Sequence, residues 1–210
     1  MSTNQADLDS KAHWDGVYTR VADNSMSWYC SHLATSLRLI RTSASLDAPI
    51  LDVGGGHSTL VDDLLELGYR RVAVLDVSPV ALSRAKGRLG ESAKRVTWLS
   101  GDVLTTPILQ GSFAVWHDRA VFHFLRNPQQ RLEYRRQIER VLQPGGSLIL
   151  ATFGPQGPLK CSGLEVCRYD DHSLATEIGP QFRLIESLIE MHQTPSGGQQ
   201  QFQYCHFIRE

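Results

Sequence analysis

The sequence has no long apolar run. The longest, around Ser147 to Phe153, falls far short of the roughly 20 residues that cross a bilayer as a helix, which excludes a membrane-spanning helix. Met1 to Lys11 lacks the basic-then-apolar order of a secretory signal. Cysteine is scarce: Cys30, Cys161, Cys167 and Cys205 form no C-x-x-C pair, which argues against a disulfide scaffold or a zinc ribbon, with Cys161 and Cys167 as soft-metal thiols the minor alternative. Neither sign of charge dominates. Lys+Arg total 21 against Asp+Glu 22, and a net charge of -1 offers no electrostatic footprint for nucleic acid or an anionic membrane. No repeat or low-complexity tract is present. These absences predict a cytoplasmic protein, monomer or homodimer, that holds no metal and acts on a small molecule rather than on nucleic acid or a membrane.

What remains is ordinary globular composition, 41% hydrophobic and 20% charged over 210 residues, enough for one domain spanning 1–210. Hydrophobic spacing divides it into alternating strands and helices. Ser31 to Ser45 carries Leu33, Leu37 and Ile40 at helical spacing. Ile50 to Val53 reads as the first strand, stopped by Gly54-Gly55-Gly56, and Ser58 opens a helix with Leu60, Leu64, Leu65 and Leu67 inward. Arg71 to Asp76 is the second strand, Ser78-Pro79 to Gly90 a helix, and Val96 to Leu99 the third strand. Phe113 to Trp116 reads as the fourth, followed by a helix from Pro128 to Leu142 with Leu132, Ile138, Val141 and Leu142 inward. After Gln143-Pro144-Gly145-Gly146 comes the fifth, Ser147 to Phe153. A short helix (Ser173 to Ile178), a strand (Phe182 to His192), a Pro-Ser-Gly-Gly turn and a closing strand (Gln201 to Ile208) complete the chain. The pattern defines an α/β fold, a Rossmann-like doubly wound sheet of seven strands ending in an antiparallel hairpin.

The turn Asp52-Val53-Gly54-Gly55-Gly56-His57-Ser58 joins the first strand to its helix, where a backbone without Cβ atoms can pass close to a ligand. Asp76 lies 20 residues after Gly56 at the end of the second strand, placed to accept both hydroxyls of a ribose. A dinucleotide would need G-x-G-x-x-G to seat its pyrophosphate, and His57, Ser58 and Thr59 follow Gly56 instead. That disfavours a nicotinamide-dependent oxidoreductase. Asp52 is placed to hold the amino group of an amino-acid moiety, as S-adenosylmethionine (SAM) requires.

Asp52-x-Gly54-x-Gly56, Asp76, Gly101-Asp102 after the third strand, Pro144-Gly145-Gly146 before the fifth and the terminal hairpin together resemble class I SAM-dependent methyltransferases over nearly the whole chain. The resemblance implies that Asp52 meets the methionine amine, Asp76 the ribose and Asp102 the adenine amino group, with Val77 and Val103 flanking the adenine. Gly54, Gly55 and Gly56 form the cofactor loop. Ser58 stands where many members have a third glycine.

Trp116-His117-Asp118-Arg119 through His123-Phe124 follows the fourth strand, where such an enzyme brings the acceptor to the methyl group. The segment is similar to the W-D-R of thiopurine methyltransferases, with a histidine inserted, and closer to the W-H-D-R of the mitochondrial citrate synthase lysine methyltransferase and its bacterial relatives. Gly157 to Leu164 resembles those relatives too. Asp118, Arg119, His117 and His123 are the expected catalytic residues, His117 also touching cofactor. Residues 1–45 are expected to form an N-terminal cap or lid, with Tyr18, Trp28, Tyr29 and Cys161 lining the acceptor site. A structural reading makes Asp118 and Arg119 a turn cap and buries His123. Arg119 suits a thiolate, and a chain without an evident insertion for gripping a folded protein suits a small acceptor. The reading is therefore methyl transfer to a small soft nucleophile, the sulfur of a low-molecular-weight thiol or sulfide, or selenium. A protein lysine N-methyltransferase and a non-catalytic SAM-binding regulatory domain are the alternatives.

Overall fold

The computed structural model describes residues 5–210, without the side chains of residues 5–9 and 23. Two helices, α1 (Gln5–Arg20) and α2 (Ala34–Ser43), precede β1 (Ile50–Val53), α3 (Leu60–Glu66), β2 (Val72–Asp76), α4 (Pro79–Leu89) and β3 (Val96–Ser100). Then come β4 (Phe113–Arg119), α5 (Pro128–Val141) and β5 (Leu142–Phe153). A small ribbon, β6 (Lys160–Cys161) and β7 (Leu164–Glu165), leads to α6 (Asp171–Ile178) and the hairpin of β8 (Phe182–Gln193) and β9 (Gln199–Arg209).

Seven strands form one sheet in the order β3-β2-β1-β4-β5-β9-β8. The first five run parallel, while β9 pairs antiparallel with β5 and with β8. This is the expected doubly wound sheet with its terminal hairpin. The chain winds outward from β1 to β3 and then returns to the other side of β1 as β4, so a crevice opens beyond the carboxyl ends of β1 and β4. Helices cover both faces, which is why β1 and β2 are buried along their whole length and read as unbroken apolar runs. One core packs Leu39, Ile40, Leu60 and Leu64 against Val115 and Ile149. The other packs Ile138, Val141 and Leu174 against Trp116, Leu148 and Leu150. Helix starts follow their local chemistry: Ser78 accepts from the Ala81 N–H at 3.2 Å ahead of Pro79, and Asn127 accepts from the Gln129 N–H at 2.9 Å ahead of Pro128.

Four details differ from the sequence expectation. Strand β4 runs on through His117 and Asp118 to Arg119, because those polar side chains find partners within the fold. The pairing of β5 begins at Leu142 opposite Phe113, skips across Pro144-Gly145-Gly146 and resumes at Ser147 opposite Val115. Leu67 is exposed and Leu132 only partly covered, while Tyr69 and Tyr134 occupy the core. The polar start contains α1, whose Trp14 and Tyr18 lie one turn apart and share a face. Among the described residues no helix is long and apolar enough to cross a membrane.

Candidate active site

Three carboxylates stand at the carboxyl ends of neighbouring strands: Asp52 in β1, Asp76 at the end of β2 and Asp102 just after β3. A Cβ on Gly55 would strike the Asp52 carboxylate, and one on Gly56 would strike that of Asp76, so glycine here leaves both acids in place. Asp52 is buried: its Oδ1 lies 2.7 Å from His117 Nδ1, and its Oδ2 has no hydrogen-bond partner. Asp76 accepts from the Ser78 N–H at 2.8 Å, and burial raises its pKa to about 7. Asp102 accepts from the Leu104 N–H at 2.7 Å.

Two cavities share walls at Tyr18, Trp28, Val53, Gly54 and Arg119. The larger, about 860 Å³, is bounded by Asp76, Val77, Asp102 and Val103 together with Trp14, Phe124 and Cys161. The smaller, about 520 Å³, contains Asp52, Gly55, His57, His117 and Tyr29. The strand order places Asp76 and Asp102 on one side of β1 and Arg119 on the other. Aromatic rings close the larger cavity: Trp14 sits 5.9 Å from Trp28 and 5.2 Å from Phe124, centroid to centroid. Asp15 fastens α1 to the start of α4, accepting from Ser78 Oγ at 2.5 Å.

Arg119 links the two cavities. Its Nε donates to Tyr204 Oη at 3.1 Å, its Nη1 to the Trp28 carbonyl at 3.1 Å, and its guanidinium stands 4.1 Å from the Phe202 ring centroid. Nη2 is buried without a partner, and among the described residues no carboxylate pairs with this cation. The next residue, Ala120, lies in the cavity wall with φ of 72°, a conformation that an L side chain rarely adopts and that clusters at functional sites. Burial raises the Cys161 thiol to about 11, so it stays protonated at neutral pH.

Two expected catalytic residues lie elsewhere. Asp118 points to the opposite side of the sheet, where it accepts from the Val121 N–H at 2.9 Å, the Phe122 N–H at 3.1 Å and, through a short bond, the Tyr134 hydroxyl. It lines neither cavity. His123 is buried between Phe124 and Phe153, at 4.5 and 4.7 Å between ring centroids, and accepts from the Phe153 N–H at 3.3 Å. Burial lowers its pKa to about 3, which keeps it neutral. Tyr18, Trp28, Tyr29 and Cys161 do reach the cavities, as do Val77 and Val103. The residues that sequence reading missed are Ser36, Phe202 and Tyr204. They lie outside any motif and reach the site only through the fold. Phe124 and Trp14 were visible as aromatics, the latter one helical turn from Tyr18.

Residues 50–146 match the methyltransferase domain family. The carboxylates, the glycine loop and the strand order all fall on that match. The chain carries a SAM-dependent methyltransferase domain. The methyltransferase is 24% identical to human EEF1A lysine methyltransferase 2 over 198 residues, covering 86% of this chain and 77% of that protein. It is 28% identical to the ubiquinone/menaquinone biosynthesis C-methyltransferase UbiE of Paracoccus denitrificans, over 70% of this chain and 62% of that one. Among solved structures, the 1,6-didemethyltoxoflavin-N1-methyltransferase of Burkholderia thailandensis, with S-adenosylhomocysteine bound, superposes with a TM-score of 0.69 at 18% identity. That match covers 100% of this chain and 92% of the other. The residues of the methyltransferase fit the cofactor: the unpartnered Asp52 Oδ2 can accept from an ammonium, and the glycine loop leaves room beside it.

Asp118 is thus expected to govern stability. Asp118→Ala leaves two backbone N–H groups and the Tyr134 hydroxyl without their acceptor, at ~1–3 kcal/mol for each buried group that stays unsatisfied. Chemical denaturation should show a loss of about 3 kcal/mol or more, while calorimetry finds S-adenosylhomocysteine affinity within threefold of wild type. A stable variant, or one that folds but loses cofactor affinity, would contradict this placement.

Proposed function

We propose that the cleft holds SAM with its ammonium on Asp52, its ribose on Asp76 and its adenine between Val77 and Val103 beside Asp102, and that the methyl acceptor is the sulfur of a small thiol. Bound SAM supplies an electrophilic sulfonium methyl group. The chain's task is to place a lone pair in line with that methyl and to keep water away, which asks for positioning more than for acid–base power. Trp14, Tyr18, Trp28 and Phe124 enclose the space, with residues 1–45 acting as the cap.

The observation that carries the acceptor reading is Arg119, a half-buried cation in the cleft wall with no carboxylate partner among the described residues. A cation in that position favours the thiolate over the thiol. It disfavours a lysine ammonium entering the same space. Against this stands the likeness to EEF1A lysine methyltransferase 2, which supports a protein lysine as the second reading. Incubation with methyl-labelled SAM separates the two: label in small thiols supports the first, and label in lysine of a lysate protein supports the second. On the thiol reading Arg119→Ala lowers the rate at least tenfold at a pH below that of thiol ionisation, and raising the pH partly restores it. A rate loss that is the same at every pH would reject the thiolate role.

The Asp76 assignment has its own pH signature. The carboxylate, not the acid, accepts from both ribose hydroxyls, and burial holds the empty-site pKa at about 7. Below that pH the group must release a proton to bind. Affinity for S-adenosylhomocysteine should therefore rise with pH up to about 7 and level off above it. Asp76→Asn should remove that pH dependence and weaken binding at least tenfold, since two charge-assisted bonds of ~1.5–3 kcal/mol each are affected. A calorimetric titration from acid to neutral pH checks both, and a flat wild-type profile would refute the assignment.

A further inference from the structure

Five buried or half-buried polar groups from four elements connect the cofactor end of the cleft to Arg119. His117 on β4 lies 2.7 Å from Asp52 Oδ1 through Nδ1 and 2.9 Å from Ser36 Oγ through Nε2. Ser36 Oγ, on α2, is 3.3 Å from Tyr204 Oη on β9, and Tyr204 Oη accepts from Arg119 Nε at 3.1 Å. Ser36, His117 and Tyr204 are fully buried.

One arrangement gives every proton along this chain a partner. An arginine Nε–H can only donate, so the Tyr204 oxygen accepts, and its own proton goes to Ser36. Burial holds the Tyr204 pKa above its usual range, so that proton is retained. Ser36 then donates to His117 Nε2, which must carry no hydrogen, and the remaining His117 proton sits on Nδ1 and is donated to Asp52. In this arrangement all four bonds run from the cation to the carboxylate, head to tail. Aligned bonds of this kind polarise one another. With a proton on His117 Nε2, Ser36 Oγ would accept from both His117 and Tyr204, and the head-to-tail alignment would end at Ser36.

We propose that Ser36 and Tyr204 are positioning residues: their hydroxyls hold His117 in its Nδ1–H form, which keeps Asp52 Oδ2 open for the cofactor ammonium and orients Arg119 for the acceptor. The inference rests on the cofactor reading of Asp52 given above. It assigns a role in the reaction to two residues that lie outside the matched methyltransferase segment, residues 50–146. It also explains why a serine stands at a fully buried position of α2.

The test uses the full chain, S-adenosylhomocysteine as the calorimetric probe, and histidine labelled with ¹⁵N to read the His117 tautomer. Wild type is expected to show the Nδ1–H form. Tyr204→Phe and Ser36→Ala should each weaken binding three- to tenfold and shift His117 to a mixture of tautomers. The double variant should bind no more weakly than the worse single one, because both break one chain. An unchanged tautomer with affinity within twofold of wild type in both variants overturns the relay and leaves the hydroxyls a packing role. If wild type binds no S-adenosylhomocysteine, the reading of Asp52 itself fails, a distinct result. Should Tyr204→Phe not fold, Ser36→Ala carries the test alone, as alanine is a better helix former than serine.

Discussion

A buried carboxylate with one oxygen unpaired is costly to hold, and the rest of the cleft is arranged around keeping Asp52 in that state. Strand order makes it possible. Because β1 stands where the winding of the sheet reverses, its carboxyl end faces an open crevice instead of another connection. The parallel register places His117 directly beside Asp52, so one oxygen is satisfied across the ladder. Glycine at 55 leaves the space a side chain would take from the carboxylate. A ligand can bring the partner that Oδ2 lacks, and a cation satisfies it better than a neutral donor.

The cover over this crevice is tied to the same groups. Asp15 on α1 accepts from Ser78, whose N–H in turn binds Asp76, so one end of the cover and one cofactor carboxylate meet at the same helix start. At the other end the Trp28 carbonyl is held by Arg119, and His192 on β8 reaches the Ser27 carbonyl at 2.9 Å. Trp28 therefore sits in a segment without regular structure that is nonetheless fixed by two side chains from the sheet. Packing of Trp14, Tyr18 and Trp28 completes the wall. The terminal hairpin thus does more than finish the sheet: it supplies Phe202 and Tyr204 beneath Arg119 and His192 beneath the cover.

Sequence reading located the carboxylates proposed to hold the cofactor but not the surroundings of Asp118 and His123, for a definable reason. Glycine turns, an acid at fixed spacing and alternating apolar runs are local signals, and they single out Asp52 and Asp76 and predict the doubly wound sheet. The segment Trp116 to Arg119 gives residue types without saying where the strand stops. Ended at Trp116, it leaves Asp118 and Arg119 together in a loop. Continued through Arg119, strand alternation sends His117 and Arg119 to the crevice side and turns Asp118 with Trp116 toward Tyr134. The position of one strand end therefore decides whether Asp118 faces the crevice or Tyr134. His123 was ambiguous for a related reason, since only the packing of Phe124 and Phe153 around it shows that it faces the core. Ser36 and Tyr204 carry no local signal at all.

That division also bears on how far likeness to other methyltransferases reaches. The matched segment, residues 50–146, contains every carboxylate of the proposed cofactor grip. Part of the surroundings of Arg119 comes from outside it: Trp14, Tyr18 and Trp28 precede it, and Cys161, Phe202 and Tyr204 follow it. Homology in the shared segment consequently constrains how the cofactor sits far more than what receives the methyl group. The proposed acceptor chemistry is read from Arg119 together with these flanking residues, where aromatic surface surrounds a cation with no counterion among the described residues. Removing a guanidinium from water without a paired anion is unfavourable, and cation–π contact with Phe202 together with two hydrogen bonds offsets only part of that cost. An acceptor that brings negative charge relieves what is left, whereas a lysine ammonium adds to it. This asymmetry, centred on Arg119 within the matched segment and walled in part by residues beyond it, is what the proposed preference for an anionic sulfur over an amine rests on.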